Sequence, residues 1–148
     1  KRTQPRLGRL HAGKDAGFPG RHCCRHAPQF AIGQTERAKP ADLRAIRQAL
    51  GKRAEHRVEI EGHVDTDTEF HRAIVAAAHN PILLELFDSF TPRLREAMIE
   101  MLRIRKTYGG DADHATHHDL AEAIAARDSE AAASLSRAHL ASLSAALG

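Results

Sequence analysis

Cysteine is scarce in this chain: only Cys23 and Cys24, and they are adjacent. Adjacent cysteines build neither a disulfide framework nor a CxxC metal knuckle, and their scarcity fits a reducing cytoplasm. Long apolar runs are absent, which excludes a helix that spans a membrane. The basic N-terminus is followed by no apolar stretch, so no secretory signal is legible. No HExxH string occurs, which removes the commonest zinc-hydrolase signature. No segment alternates apolar and polar residues as a half-buried strand would.

What remains is a chain of 148 residues, 42% hydrophobic and 28% charged, enough for one domain with a real core. The formal charge of +3 is mild, and much of it lies in the first forty residues. Those residues lack the periodicity and aromatic interleaving of a nucleic-acid-binding arm. Gly8, Gly13, Gly17, Gly20 and Gly33 interrupt any helix there. Residues 1–39 read as an irregular or flexible arm, or as sequence from outside the native reading frame. Residues 40–148 read as a helical domain.

From Pro40 the helical period is clear. Leu43, Ile46 and Leu50 share one stripe, and the pattern runs towards Ile60, with a break expected at Gly62. Asp65 to His79 carries Phe70, Ile74 and Ala77 on one face. Asn80-Pro81 ends that helix and starts another, since the residue before proline avoids the helical region while proline suits a first turn. The new helix runs to about Lys106, with Leu83, Leu84, Phe87, Leu94, Met98, Met101 and Leu102 expected inward and a kink at Pro92. Asp113 and Asp128 are the expected caps of two further helices. Short connections predict an all-α fold, an antiparallel helical bundle.

Eleven histidines are present. Asp67 and His71 stand at i, i+4, so one helical turn puts a carboxylate and an imidazole on the same face. His117 is in register with Leu120, Ala121 and Ile124, and His139 with Leu135 and Leu143. Three helices thus each turn a His inward, and one adds an Asp. A divalent metal would satisfy all four. A single His on an apolar stripe is usually a hydrogen-bonded core residue, and an Asp–His pair at this spacing is more often a surface pair. Spacing alone leaves both readings standing. His22 and His26 beside Cys23 and Cys24 are a weaker metal-binding set.

The string Asp67-Thr68-Glu69-Phe70-His71, followed by Asn80-Pro81, resembles the signature of the FCD domain, the C-terminal effector-binding half of GntR-type transcription regulators of the FadR subgroup. His117, Leu120, Ala123-Ile124, Asp128 and His139 follow that domain's spacing, and Glu36 to Ile46 resembles its early helix. The resemblance runs from about Thr35 to the end. It implies a helical bundle, a homodimer, and Asp67, His71, His117 and His139 as ligands of zinc, nickel or manganese. It also implies a small carboxylate or sugar acid as effector, since acyl-CoA-binding members generally lack these ligands. The family's N-terminal winged helix is not recognisable: residues 1–34 are too short and lack its apolar pattern. The chain is therefore expected not to bind operator DNA specifically by itself.

Three His and one Asp leave one or two positions free on a six-coordinate metal, where a carboxylate could bind, whereas a closed tetrahedral zinc would be structural only. Arg95 and Arg103 are candidate partners for the effector's carboxylate. The rival functions are a metal-dependent hydrolase, in which the metal activates water, and a metal-free helical dimerisation module.

Overall fold

A computed structural model of the chain describes residues 35–147. The arm expected over residues 1–34, with Cys23, Cys24, His22 and His26, lies outside the described residues. Five helices follow: α1 (Pro40–Glu55), α2 (Ile60–Ala77), α3 (Pro81–Arg105), α4 (Asp111–Ala125) and α5 (Ser129–Leu147). No strand occurs among the described residues. Helix α1 packs on α2 and on α4, α3 packs on α2, and α5 packs on α4. The fold is an all-α helix bundle.

Local chemistry explains the helix boundaries. Pro40 opens α1, where its missing N–H costs nothing, and Asp42 accepts a 2.7 Å hydrogen bond from the Lys39 backbone. Asn80 caps α3 by accepting from the Leu83 N–H at 3.2 Å. Asp128 caps α5 through the Ala131 N–H at 2.9 Å, as its position in the sequence suggests. Residues 35–37 are helical and lie against the bundle. The Arg127 guanidinium ties them down by donating to the carbonyls of Thr35, Glu36 and Ala38.

Three expectations need correction. The break falls at residues 56–59, and Gly62 lies inside α2. Burial of Val64 just beyond it outweighs the roughly 1 kcal/mol that glycine costs within a helix. Helix α4 begins at Asp111, two residues before the expected cap, which frees the Asp113 carboxylate for a tertiary partner. Leu94 faces out, aligned at intervals of four with Ile82, Leu86 and Phe90. The face of α3 turned to the bundle instead buries Ile99, Met101 and Leu102. The helix is continuous through Pro92.

The main core joins Ile46 and Leu50 of α1, Phe70 and Ile74 of α2, Leu120 and Ile124 of α4, and Ala132 and Ala133 of α5. A smaller cluster joins Val64 to Ile99, Met101 and Leu102. Between the C-terminal end of α3 and the far end of α5 the bundle opens into a cavity.

Candidate metal centre and adjoining cavity

Asp67 and His71 project from consecutive turns of α2, with His71 Nε2 3.6 Å from Asp67 Oδ2. Helix α4 brings His117 Nε2 to 3.1 Å from Asp67 Oδ1. The His139 ring, from α5, lies 4.6 Å from that of His117 and 5.2 Å from that of His71, centroid to centroid. One ligand atom from each of His71, His117 and His139 falls within 4.8 Å of the other two. The structure thus brings all four sequence-predicted residues together, from three helices that are not all adjacent in the chain.

The donor set fits a divalent metal. His117 is 1% exposed. Its Nδ1 lies 2.7 Å from the Asp113 carbonyl oxygen, to which only an N–H can donate, so the proton sits on Nδ1. Its Nε2 is buried and faces Asp67 Oδ1 at 3.1 Å without the geometry of a hydrogen bond. Such a backbone contact on the second ring nitrogen is the usual way of orienting a metal-ligating histidine. Phe70 meets the His117 and His71 rings edge-on at 5.5 and 5.3 Å and backs the site with apolar surface.

Electrostatics point the same way. Burial works against the Asp67 carboxylate, but the neighbouring His71, His117 and Arg53 outweigh it and hold its pKa well below the usual carboxylate range. Burial pushes the His71 pKa down from 6.5 to about 4, and lowers that of His139 as well. At neutral pH these groups supply a carboxylate and lone-pair-bearing imidazoles, the forms that bind a metal. In chelator, the unfolded chain takes up protons on these histidines below about pH 6.5 while the folded chain does not. Their contribution to stability is therefore complete above pH 6.5 and is lost as the pH falls towards 4. For His71 this amounts to about 2–3 kcal/mol. Urea titrations of the metal-free domain at pH 7.5 and pH 4.5 measure it, and equal midpoints would contradict it.

The sequence reading missed Arg53. This side chain on α1 is 1% exposed. Its Nε donates to Asp67 Oδ1 at 2.7 Å and its Nη2 donates to Asp113. Its Nη1 is buried without a partner. Its place on the apolar stripe of α1, three residues from Leu50, is the hint that the sequence offers. Arg95 and Arg103 are elsewhere. Arg95 forms a two-pronged pair with Asp65, and Arg103 pairs with Glu61 and Glu100 at the surface. Neither borders the cavity.

The cavity measures about 820 Å³, within the range that holds small molecules. Asp67 and His139 reach its wall from the histidine cluster. Arg53, Arg57, Arg105 and Lys106 line it too, so cationic side chains outnumber acidic ones. Its rim is held by Arg57, which donates to the Gly109 carbonyl at 2.5 Å and to Asp111 at 2.7 Å. Gly109 has φ +64°, and a Cβ there would come within 2.6 Å of the Arg57 carbonyl oxygen, so only glycine fits.

Residues 29–142 match the family described as the FCD domain. This chain belongs to the FCD domain family. The galactonate operon transcriptional repressor of Escherichia coli (strain K12) is 29% identical to this FCD domain over 110 residues, which cover 71% of the chain and 45% of the repressor. The solved structure of E. coli McbR/YncC superposes with a TM-score of 0.64 at 16% identity, covering 84% of this chain and 62% of that one. That likeness establishes the fold. The chain spans less than half the length of the curated relative. That relative is, by its name, a transcriptional repressor. None of its described helices is long and apolar enough to cross a membrane.

Proposed function

We propose that this FCD domain senses a small carboxylate through a divalent metal held by Asp67, His71, His117 and His139, with Arg53 as the cationic partner of the effector. Zinc, nickel and manganese all accept such mixed imidazole and carboxylate ligands. The observation that carries the reading is the meeting of three imidazoles and a carboxylate, with the buried Nε2 of His117 3.1 Å from Asp67 Oδ1. The cavity opens on that cluster, which gives an exogenous oxygen access to the metal. The named relative's galactonate operon makes a sugar acid the first effector class to try. In this reading the domain is the effector half of a GntR-type regulator of the FadR subgroup, acting in the cytoplasm. Operator DNA would be contacted by a winged helix, and the effector would bias one dimer geometry over another. Coupling of that kind is typically about 1–3 kcal/mol.

The test is metal analysis followed by a thermal-shift screen. Protein purified without added metal is expected to carry close to one divalent ion per chain. Small hydroxy acids should raise the melting temperature of the metal-loaded domain and leave the chelated domain unchanged. A chain that takes up no zinc, nickel or manganese would refute the proposal and leave the dimerisation module standing.

A homodimer is part of the same reading. Ile82 (77% exposed), Leu86 (58%), Phe90 (43%) and Leu94 (43%) form an apolar stripe along α3 that is left exposed among the described residues. Such a stripe is a natural site for a second copy. Leu86→Glu with Phe90→Glu is expected to turn a dimer into a monomer in light scattering while the helical circular dichroism stays unchanged. A monomeric wild type would remove this part of the proposal.

A further inference from the structure

His63 lies on α2 one turn before Asp67, on the wall of the cavity, and no metal-binding role falls to it. It is 6% exposed, and its Nδ1 is buried without a partner. Among the described residues neither of its ring nitrogens makes a hydrogen bond. Its ring is held in place: the Tyr108 ring packs against it at 5.5 Å, and Tyr108 is anchored by donating from its hydroxyl to the Val58 carbonyl at 2.7 Å. A buried imidazole without a partner is costly, and an apolar residue would serve the packing better. Arg53, on the same wall, also carries an unpartnered nitrogen, Nη1. Two residues that carry unsatisfied polar atoms therefore line one cavity beside the histidine cluster.

We propose that His63 is a specificity-determining residue, which selects a hydroxylated carboxylate by hydrogen bonding to a hydroxyl group that the unsubstituted acid lacks. This rests on the carboxylate-sensing reading above and deepens it. The two groups divide the work by charge. The Arg53 guanidinium calls for an anionic oxygen. Burial and the nearby Arg53 charge lower the His63 pKa and so favour its neutral imidazole. A neutral imidazole offers one donor and one acceptor, which suits a hydroxyl, itself both donor and acceptor. A site with such a group rejects the analogue that lacks the hydroxyl, because its own polar atoms stay unpaired.

The experiment uses the full chain loaded with zinc, and compares malate with succinate and gluconate with hexanoate by calorimetry. The variants are His63→Phe and His63→Gln, with folding checked by circular dichroism and metal content measured on each. Wild type is expected to bind the hydroxylated member of at least one pair 10-fold or more tightly. His63→Phe should reduce that preference to less than 3-fold while retaining one zinc per chain. His63→Gln, which keeps a donor and an acceptor, should retain part of it. Equal preference in wild type and His63→Phe would overturn the role of His63 and leave carboxylate sensing intact. Failure of all four acids to bind the zinc-loaded wild type would overturn both. If His63→Phe does not fold, the His63→Gln result decides, and an unchanged preference together with weaker binding of both members of each pair would overturn the proposal.

Discussion

His117→Ala is expected to abolish stoichiometric metal binding, reducing bound zinc from about one ion per chain to a small fraction. The imidazole it removes is the most buried of the cluster and the one whose proton is fixed away from the site by the Asp113 carbonyl. Its α4 neighbours Leu120, Ala121 and Ile124 are core residues that offer no ligand atom. A metal that binds only the folded state stabilises it by about 2.7 kcal/mol at a hundredfold excess over its dissociation constant. For a domain of this size that corresponds to roughly 10 °C in melting temperature. The variant also leaves a void beside Phe70, so its metal-free melting temperature falls too. The decisive quantity is therefore the difference between metal-loaded and chelated samples of the same variant. That difference should be near zero in His117→Ala and in His139→Ala. A metal-induced shift as large as that of the wild type in both variants would remove these histidines from the site.

Arg53→Met is expected to be the most destabilising single change in the metal-free domain, by about 3–5 kcal/mol. The guanidinium bridges Asp67 and Asp113 from a position 1% exposed, and methionine fills similar volume without charge. Its removal strands the Asp67 carboxylate, whose side chain is 18% exposed, beside the Asp113 carboxylate with no cation between them. Arg53→Lys should recover little, because one ammonium cannot serve two carboxylates through a rigid fork. A bound divalent ion would itself neutralise Asp67. The cost of Arg53→Met should then be smaller with zinc than with chelator, by at least about 1 kcal/mol. Urea unfolding of wild type and variant, each with and without zinc, closes this cycle. An equal cost in both conditions would mean that Asp67 does not share its charge with the metal.

The two predictions test different parts of one arrangement. The first asks whether the imidazoles bind, and the second whether the carboxylate belongs with them. Asp67 is placed by its distances to His71 and His117. Its engagement with Arg53 shows that the same carboxylate also fastens α1 to α2. If effector binding draws Arg53 Nη1 towards a carboxylate, the ligand would act on the junction of α1, α2 and α4.

The helices were legible in the sequence because their signals are local. The stripe through Phe70 and Ile74, the break at Asn80-Pro81 and the cap at Asp128 each depend on residues within a few positions. The inward register of His71, His117 and His139 is of the same kind, since it follows from their spacing to neighbouring apolar residues. Local propensity at Gly62 and Asp113 places the starts of α2 and α4 too late. Burial of Val64 overrode the glycine, and the Arg53 guanidinium claimed the aspartate. The sequence by itself therefore determined the helical class and most helix limits, and singled out four residues as a candidate metal set. Only the tertiary structure decided that these four converge, that Arg53 and His63 reach the same cavity, and that Arg95 and Arg103 do not. The reason is physical. Helical periodicity states which side of a helix is buried, but not which helix covers it, and the partners of a buried Arg or His lie on that other helix.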